Sequence, residues 1–358
     1  MRFIKHVYSK IFMKKILLTV LFASLFFIKY EEYLDNRIIE KYVGNEPYIV
    51  EHTDPLFVRY REQHRLTFKR NKDKVKNRFL YDQEDASNDY QVHAIYMLAS
   101  DTSDKKLDVN GFIKDTLLIG NKKFSQQTKE NEKVGKKFRL DRLNNWKIDI
   151  SFIRLDESSK EINKKKNVSG YLTAMAVRNG FYKPNKIYSI FYQGKNKNMA
   201  RHQLGGALFR TPRGEIEIVA GITFLDQKWK KDPEGPWAIH LRETIQALGF
   251  VQLCTPNVMV NEDSKWGRDY YLKPWNDIMS YHNPGSKIDS KRRNYYGHNY
   301  VGPSNNNCQL DLKKSAYLEP SEKDVQLQPR AISCKLSRHQ KKYKHQKALD
   351  CLSRLEFQ

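Results

Sequence analysis

Trp237-Ala238-Ile239-His240-Leu241-Arg242-Glu243-Thr244-Ile245-Gln246-Ala247-Leu248-Gly249-Phe250 is the stretch on which the reading of this chain turns. Leu241, Ile245 and Leu248 recur at helical spacing and make one apolar stripe. Arg242 and Gln246 stand one turn apart on a neighbouring face. Gly249 follows the last periodic residue, where a left-handed cap commonly ends a helix. The spacing predicts a buried helix over 238–250 that carries a guanidinium, a carboxylate and an amide beside its apolar stripe.

Upstream, apolar runs alternate with helical spacing. Residues 92–98 (Val-His-Ala-Ile-Tyr-Met-Leu) read as a buried strand closed by the turn-like Ala99-Ser100-Asp101. Asp108-Val109-Asn110-Gly111 reads as a turn into a helix with Ile113, Leu117, Phe124 and Thr128 on its buried face. Residues 146–153 alternate as a strand; 171–179 read as a helix stopped by Gly180. Strands are expected at 186–192 and at 216–225, the second broken by Gly221. Strand and helix in alternation, then the long helix, indicate an α/β layer architecture. Gly205-Gly206 has no phosphate-loop context, and Ser280 has no G-x-S-x-G context.

Composition limits the function classes. Lys plus Arg outnumber Asp plus Glu by 64 to 41, a formal charge of +23 that favours polyanionic surfaces. The basic residues are spread along the chain without a helix-turn-helix, finger or RNP pattern, so nucleic acid is not the expected partner. Lys5, Lys10, Lys14 and Lys15 precede an apolar or small run over 16–28, the length of a secretory h-region and short of the ~20 residues a span needs. No small-x-small cleavage site follows, so residues 1–30 are read as a signal peptide or a signal anchor. Any membrane contact is expected through that segment. The chain is therefore expected to be secreted, periplasmic or anchored by its N-terminus. Residues 31–88 read as a charged stalk or pro-like segment, 89–318 as the globular domain, and 319–358 as a basic tail, helical from Lys335 onward. Four cysteines, Cys254, Cys308, Cys334 and Cys351, permit three pairings. Sequence order favours Cys254 with Cys308 and Cys334 with Cys351. The set lacks C-x-x-C and the spacing of a zinc site, which leaves disulfides as the expectation.

A resemblance gives the helix a chemical meaning. Zincin proteases carry His-Glu-x-x-His on such a helix: two imidazoles four residues apart hold zinc, and the Glu activates its water. Metzincins add a glycine three residues after the second His, then a third ligand and a methionine turn. Here Glu243 takes the Glu slot and Gly249 the glycine slot. Asp277-Ile278-Met279-Ser280-Tyr281 resembles the methionine turn, with Met279 as its methionine. The chain is similar to secreted bacterial metzincin-like zinc metalloproteases over about 89–318. Further matching pieces are residues 93–98, Leu107-Asp108, 148–155, 185–192, Gly249-Phe250-Val251 with Cys254, and Tyr295-Tyr296-Gly297-His298. The resemblance implies an α/β (α+β) metzincin-like domain, a mixed sheet with a central active-site-type helix and Met-turn. It also implies that Tyr281 occupies the place of a tyrosine that assists the transition state in some metzincins.

The departures lie at the metal. Arg242 and Gln246 fill the two histidine slots, and the third-ligand position falls on Gln252 or Arg268. A guanidinium has no lone pair to give, and a Gln amide is a poor, neutral zinc ligand. No cofactor is expected, and Glu243 becomes a vestigial general-base position that Arg242 or Arg268 would neutralise. The leading expectation is an exported, metalloprotease-like protein without catalysis, acting by binding a peptide, a protein partner or an anionic surface. Two alternatives stand beside it. One is an active zinc metallopeptidase with shifted ligands, His240, Glu243 and His282; the other is a basic, non-enzymatic envelope protein. His93, His202 and His298 are read as structural.

Overall fold

The computed structural model describes residues 48–51, 75–129, 134–183, 185–195, 202–211, 214–225, 236–251, 255–261, 269–272, 276–280, 287–298, 311–325 and 332–335. Its centre is a seven-stranded, mostly parallel sheet. In chain order the strands are β1 (Tyr48–Glu51), β2 (Gln91–Leu98), β4 (Ile150–Arg154), β5 (Lys186–Gln193), β6 (His202–Thr211), β7 (Gly214–Phe224) and β11 (Ile332–Lys335). Their spatial order is β1-β6-β7-β5-β2-β4, with β11 also on β7. The pairs β2–β4, β2–β5, β5–β7 and β1–β6 are parallel; β6–β7 and β11–β7 are antiparallel. Short pairs β3 (Lys137–Phe138) with β10 (Leu318–Glu319), and β8 (Val258–Asn261) with β9 (Asp269–Leu272), lie outside the sheet.

Helices cover both faces, as an α/β sheet requires. On one face α4 (Trp237–Ala247) lies over β5, β6 and β7, with α1 (Phe112–Thr128) beside it. The two helices touch closely, because a Cβ on Gly120 of α1 would sit 3.3 Å from Leu241 Cγ. On the other face, α3 (Val168–Arg178) leads into Phe181 and Tyr182, whose rings meet Tyr188 of β5 and Phe209 of β6. The four-residue helix α2 (Ser159–Ile162) starts in a reciprocal capping box between Ser158 and Glu161. Burial follows the layers: β2 and β5 are buried along their whole length, reading as continuous apolar runs rather than as alternation.

Several sequence expectations take a different form here. The strand expected over 146–153 begins only at Ile150, because Trp146 has a left-handed φ of 64° and closes a tight turn on Leu143. Gly221 does not break β7. It pairs with Ser189 and Leu204, and its missing side chain lets α4 approach, since a Cβ there would meet Glu243 backbone and Cβ at 2.9 Å. Residues from outside 89–318 join the fold: β1 and β11 extend the sheet, and Arg78 and Leu80 are buried. Lys335, expected in a helical tail, ends strand β11, paired with Glu215; 336–358 lie outside the described residues. Gly205 and Gly206 belong to β6, a strand the apolar pattern did not announce. Among the described residues no helix is long and apolar enough to cross a membrane. The signal or anchor expected at 1–30 lies outside them.

Candidate functional site

Helix α4 forms where its apolar stripe predicts, with Leu241 and Ile245 buried, and Gly249 follows it at φ 80°. Its polar residues are also inside: Arg242 is 4 % exposed and Glu243 1 %. Gln246 is half-buried. The guanidinium of Arg242 reaches the segment 277–280, where Nη1 donates to the Ser280 carbonyl oxygen. Arg242 Nε also stands 3.6 Å from Glu243 Oε1, an ion-pair distance. The Arg242 guanidinium thus ties the helix to the turn at 277–280.

That turn is built on two carboxylates. Asp277 accepts from the Met279 backbone N–H at 2.8 Å, from the Tyr295 hydroxyl at 3.0 Å and from the Asp289 backbone N–H at 2.9 Å. Ser280 N–H closes the turn on the Asp277 carbonyl at 3.0 Å, and Leu272 N–H reaches the Met279 carbonyl at 3.0 Å. Met279 is fully buried. Burial pushes the Asp277 carboxyl up to about 6, against its hydrogen bonds from Met279 and Tyr295. Asp289 in turn accepts from the backbone N–H groups of Asn294, Tyr295 and Tyr296 through Oδ2.

His240 points elsewhere. Its Nδ1 is 2.8 Å from Ser189 Oγ and its ring stacks on Phe191 with centroids 5.6 Å apart. Burial alone pulls its pKa down to about 3, so the ring is neutral. The geometry is that of a core histidine packed on the sheet. Arg242, Glu243, Asp277, Met279 and Ser280 are therefore brought together. Gln252, Arg268, Tyr281, His282, Cys254, Cys308 and Cys351 lie outside the described residues; Cys334 lies in β11.

The sequence did not announce a second polar centre, at the amino ends of β2, β4 and β5. Lys186, the first residue of β5, has a fully buried side chain; its Nζ donates to Asp82 Oδ1 at 2.7 Å, Asp85 Oδ1 at 2.6 Å and Asp141 Oδ2 at 2.5 Å. Lys183 Nζ lies 3.1 Å from Asp82 Oδ2. His93 Nδ1 lies 2.6 Å from Asp141 Oδ2, and its Nε2 lies 3.1 Å from Ser151 Oγ. Asp149 accepts from the Gln83 backbone N–H at 3.0 Å. Burial alone would strip His93 of its proton, but the Asp141 hydrogen bond and the charges of Asp82, Asp149 and Asp141 raise its pKa. Asp141 is opposed by the same burial, yet His93 and Lys186 hold it low. Asp149 is left with the burial, which pushes it up to about 6. Four separate segments supply these groups. Only polar residues opening apolar runs, Gln91 and His93 in one strand and Lys186 in another, hint at them.

A pH dependence follows. Asp149 binds its proton more tightly folded than unfolded, so its contribution is full below the ordinary carboxylate range and lost as pH rises through about 6. Asn at this position keeps an acceptor for Gln83 and carries no charge. With chelator present, Asp149→Asn is expected to stabilise the fold at pH 8 by up to about 2–3 kcal/mol, and by little at pH 4. Thermal melts across that range check it; an equal effect at both ends would show that the buried charge is not the cause.

No family model matches the chain, and no curated protein matches it. Among solved structures it is similar to OgpA from Akkermansia muciniphila. One match is catalytically inactive OgpA in complex with an O-glycopeptide (glycodrosocin) substrate, at 14% identity and a TM-score of 0.31, covering 55% of this chain and 56% of that one. Another is wild-type OgpA, at 15% identity and a TM-score of 0.32, covering 59% and 58%. The chain spans just over half the length of the structures it matches, and a likeness at this level assigns neither family nor activity.

Proposed function

We propose that this chain is an exported, protease-like binding protein that keeps a metzincin-like helix and turn without the metal. The observation that carries the reading is the use made of Arg242: in the first histidine slot stands a buried guanidinium, engaged with the Ser280 carbonyl and close to Glu243. It offers no lone pair, and its charge repels a divalent ion. Gln246 adds only a neutral amide. These residues do not fit zinc. The positive charge that a metal would set beside Glu243 is supplied by the chain itself, and the face along α4 is left to bind an extended peptide or a protein partner. Export is supported by the Lys-rich start and the apolar run over 16–28.

Glu243 then has a structural role. Its exchange for Gln leaves Arg242 buried without its counter-charge, and a loss on the order of 3 kcal/mol is expected, read as a fall in melting temperature. The decisive assay is peptide cleavage by the wild-type chain, with and without chelator. Chelator-sensitive cleavage abolished by Glu243→Gln would overturn the proposal; an unchanged melting temperature in that variant would remove its physical basis.

A further inference from the structure

We infer that the buried cluster at the amino ends of β2, β4 and β5 is a divalent-cation site of its own, with Asp82, Asp141, Asp149 and His93 as the donors. One carboxylate oxygen from each aspartate and one ring nitrogen of His93 all lie within 4.8 Å of one another. Donors about 2.0–2.6 Å from a common ion stand at separations of this order. Three oxygens in the cluster, Asp82 Oδ2, Asp141 Oδ1 and Asp149 Oδ1, are buried and accept no hydrogen bond among the described residues, although Lys183 Nζ stands 3.1 Å from the first of them. A buried acceptor without a donor costs about 1–3 kcal/mol, and more when charged. Asp141 and Asp149 are at most 1 % exposed.

Charge points the same way. Asp82, Asp85 and Asp141 pair with the ammonium groups of Lys183 and Lys186, Asp149 joins them in the cluster, and the Tyr188 hydroxyl accepts from the Lys183 backbone. With His93 neutral, as a ligand must be, two negative charges remain, and one divalent ion closes the difference. Lys186 stays bound to Asp82 Oδ1, Asp85 and Asp141 Oδ2, which leaves Asp141 Oδ1 and Asp149 Oδ1 for the ion, with Asp82 Oδ2 shared with Lys183 at 3.1 Å. Three carboxylates and one imidazole form a hard, oxygen-rich set, suited to Mn²⁺, Mg²⁺ or Ca²⁺ ahead of thiophilic ions. Manganese, which accepts mixed oxygen and nitrogen donors, is the ion of choice for the test.

The full chain is stripped with chelator and dialysed, then melted with and without Mn²⁺, with Mg²⁺, Ca²⁺ and Zn²⁺ as further arms, and bound metal is counted by mass spectrometry. One equivalent of Mn²⁺ per chain and a rise in melting temperature are expected. Asp149→Asn should abolish both while melting no lower than the stripped wild type, which shows that the variant folds. No rise with any of the four ions would overturn the inference and leave the reading of α4 untouched. Metal retained in Asp149→Asn but lost in Glu243→Gln would place the ion on α4, and would overturn both.

Discussion

Lys186→Met is expected to destabilise the fold by about 3–5 kcal/mol at neutral pH, the range found when one member of a buried ion cluster is removed. Methionine fills a similar volume, so little of the loss would come from packing. The loss comes from Asp82, Asp85 and Asp141, which share a single fully buried ammonium at 2.5–2.7 Å. Lys183 cannot replace it, because its side chain is 41% exposed and reaches only Asp82 and Asp85. The pH profile distinguishes this cause from a packing defect. In the wild type Asp141 is held low, so the stability from its charge is present above the ordinary carboxylate range and lost as pH falls through its lowered value. Without Lys186, Asp141 loses a cation that holds it charged, and protonating it relieves part of the cost. The deficit of Lys186→Met should therefore shrink between pH 7.5 and pH 4.5 in urea melts. A deficit that stays constant with pH, or falls below about 1 kcal/mol, would mean that the ammonium is not what holds these charges in the core.

The contrast between the two polar centres shows what a sequence makes legible. Helix α1 could be read from Ile113, Leu117, Phe124 and Thr128, all of which are buried. Strands β2 and β5 could be read from uninterrupted apolar runs, because parallel strands are covered on both faces. Glycines ended α3 and α4 where expected, Gly180 at φ 88° and Gly249 at φ 80°. Strand β6 escaped because His202, Gln203, Gly205 and Gly206 mask its pattern, and its pairing with β7 is a long-range property. Residues 146–149 alternate like a strand, yet they form a turn and its exit. Arg242 and Glu243 were legible because they are neighbours on one helix. The cluster around Lys186 was not, since its members lie as far apart as 104 residues, between Asp82 and Lys186. No local spacing encodes a site that only the sheet register assembles.

Asp289→Ala should produce the other large loss, about 3–5 kcal/mol, and should carry it into the candidate site. One carboxylate organises residues 289–296: Oδ2 accepts from the N–H groups of Asn294, Tyr295 and Tyr296 at 2.8–3.0 Å, and Oδ1 from Asn294 Nδ2 at 2.8 Å and Arg293 N–H at 3.2 Å. Alanine leaves the donors of Asn294, Tyr295 and Tyr296 buried without the acceptor they now have, and it disfavours the left-handed φ of 36° that an aspartate or asparagine tolerates. Asp289→Asn keeps the backbone preference and one acceptor oxygen, so it should lose less than Ala and more than a surface change. The damage then travels. Tyr295 would lose its hold on Asp277 Oδ1, and Asp277 is what fixes the Met279 N–H and the turn that presents the Ser280 carbonyl to Arg242. Amide hydrogen exchange should accordingly rise at 277–280 and along α4 in the Ala variant. An exchange increase confined to 289–296 would show that the loop and the helix are not mechanically joined, and that Arg242 is held by α4 alone.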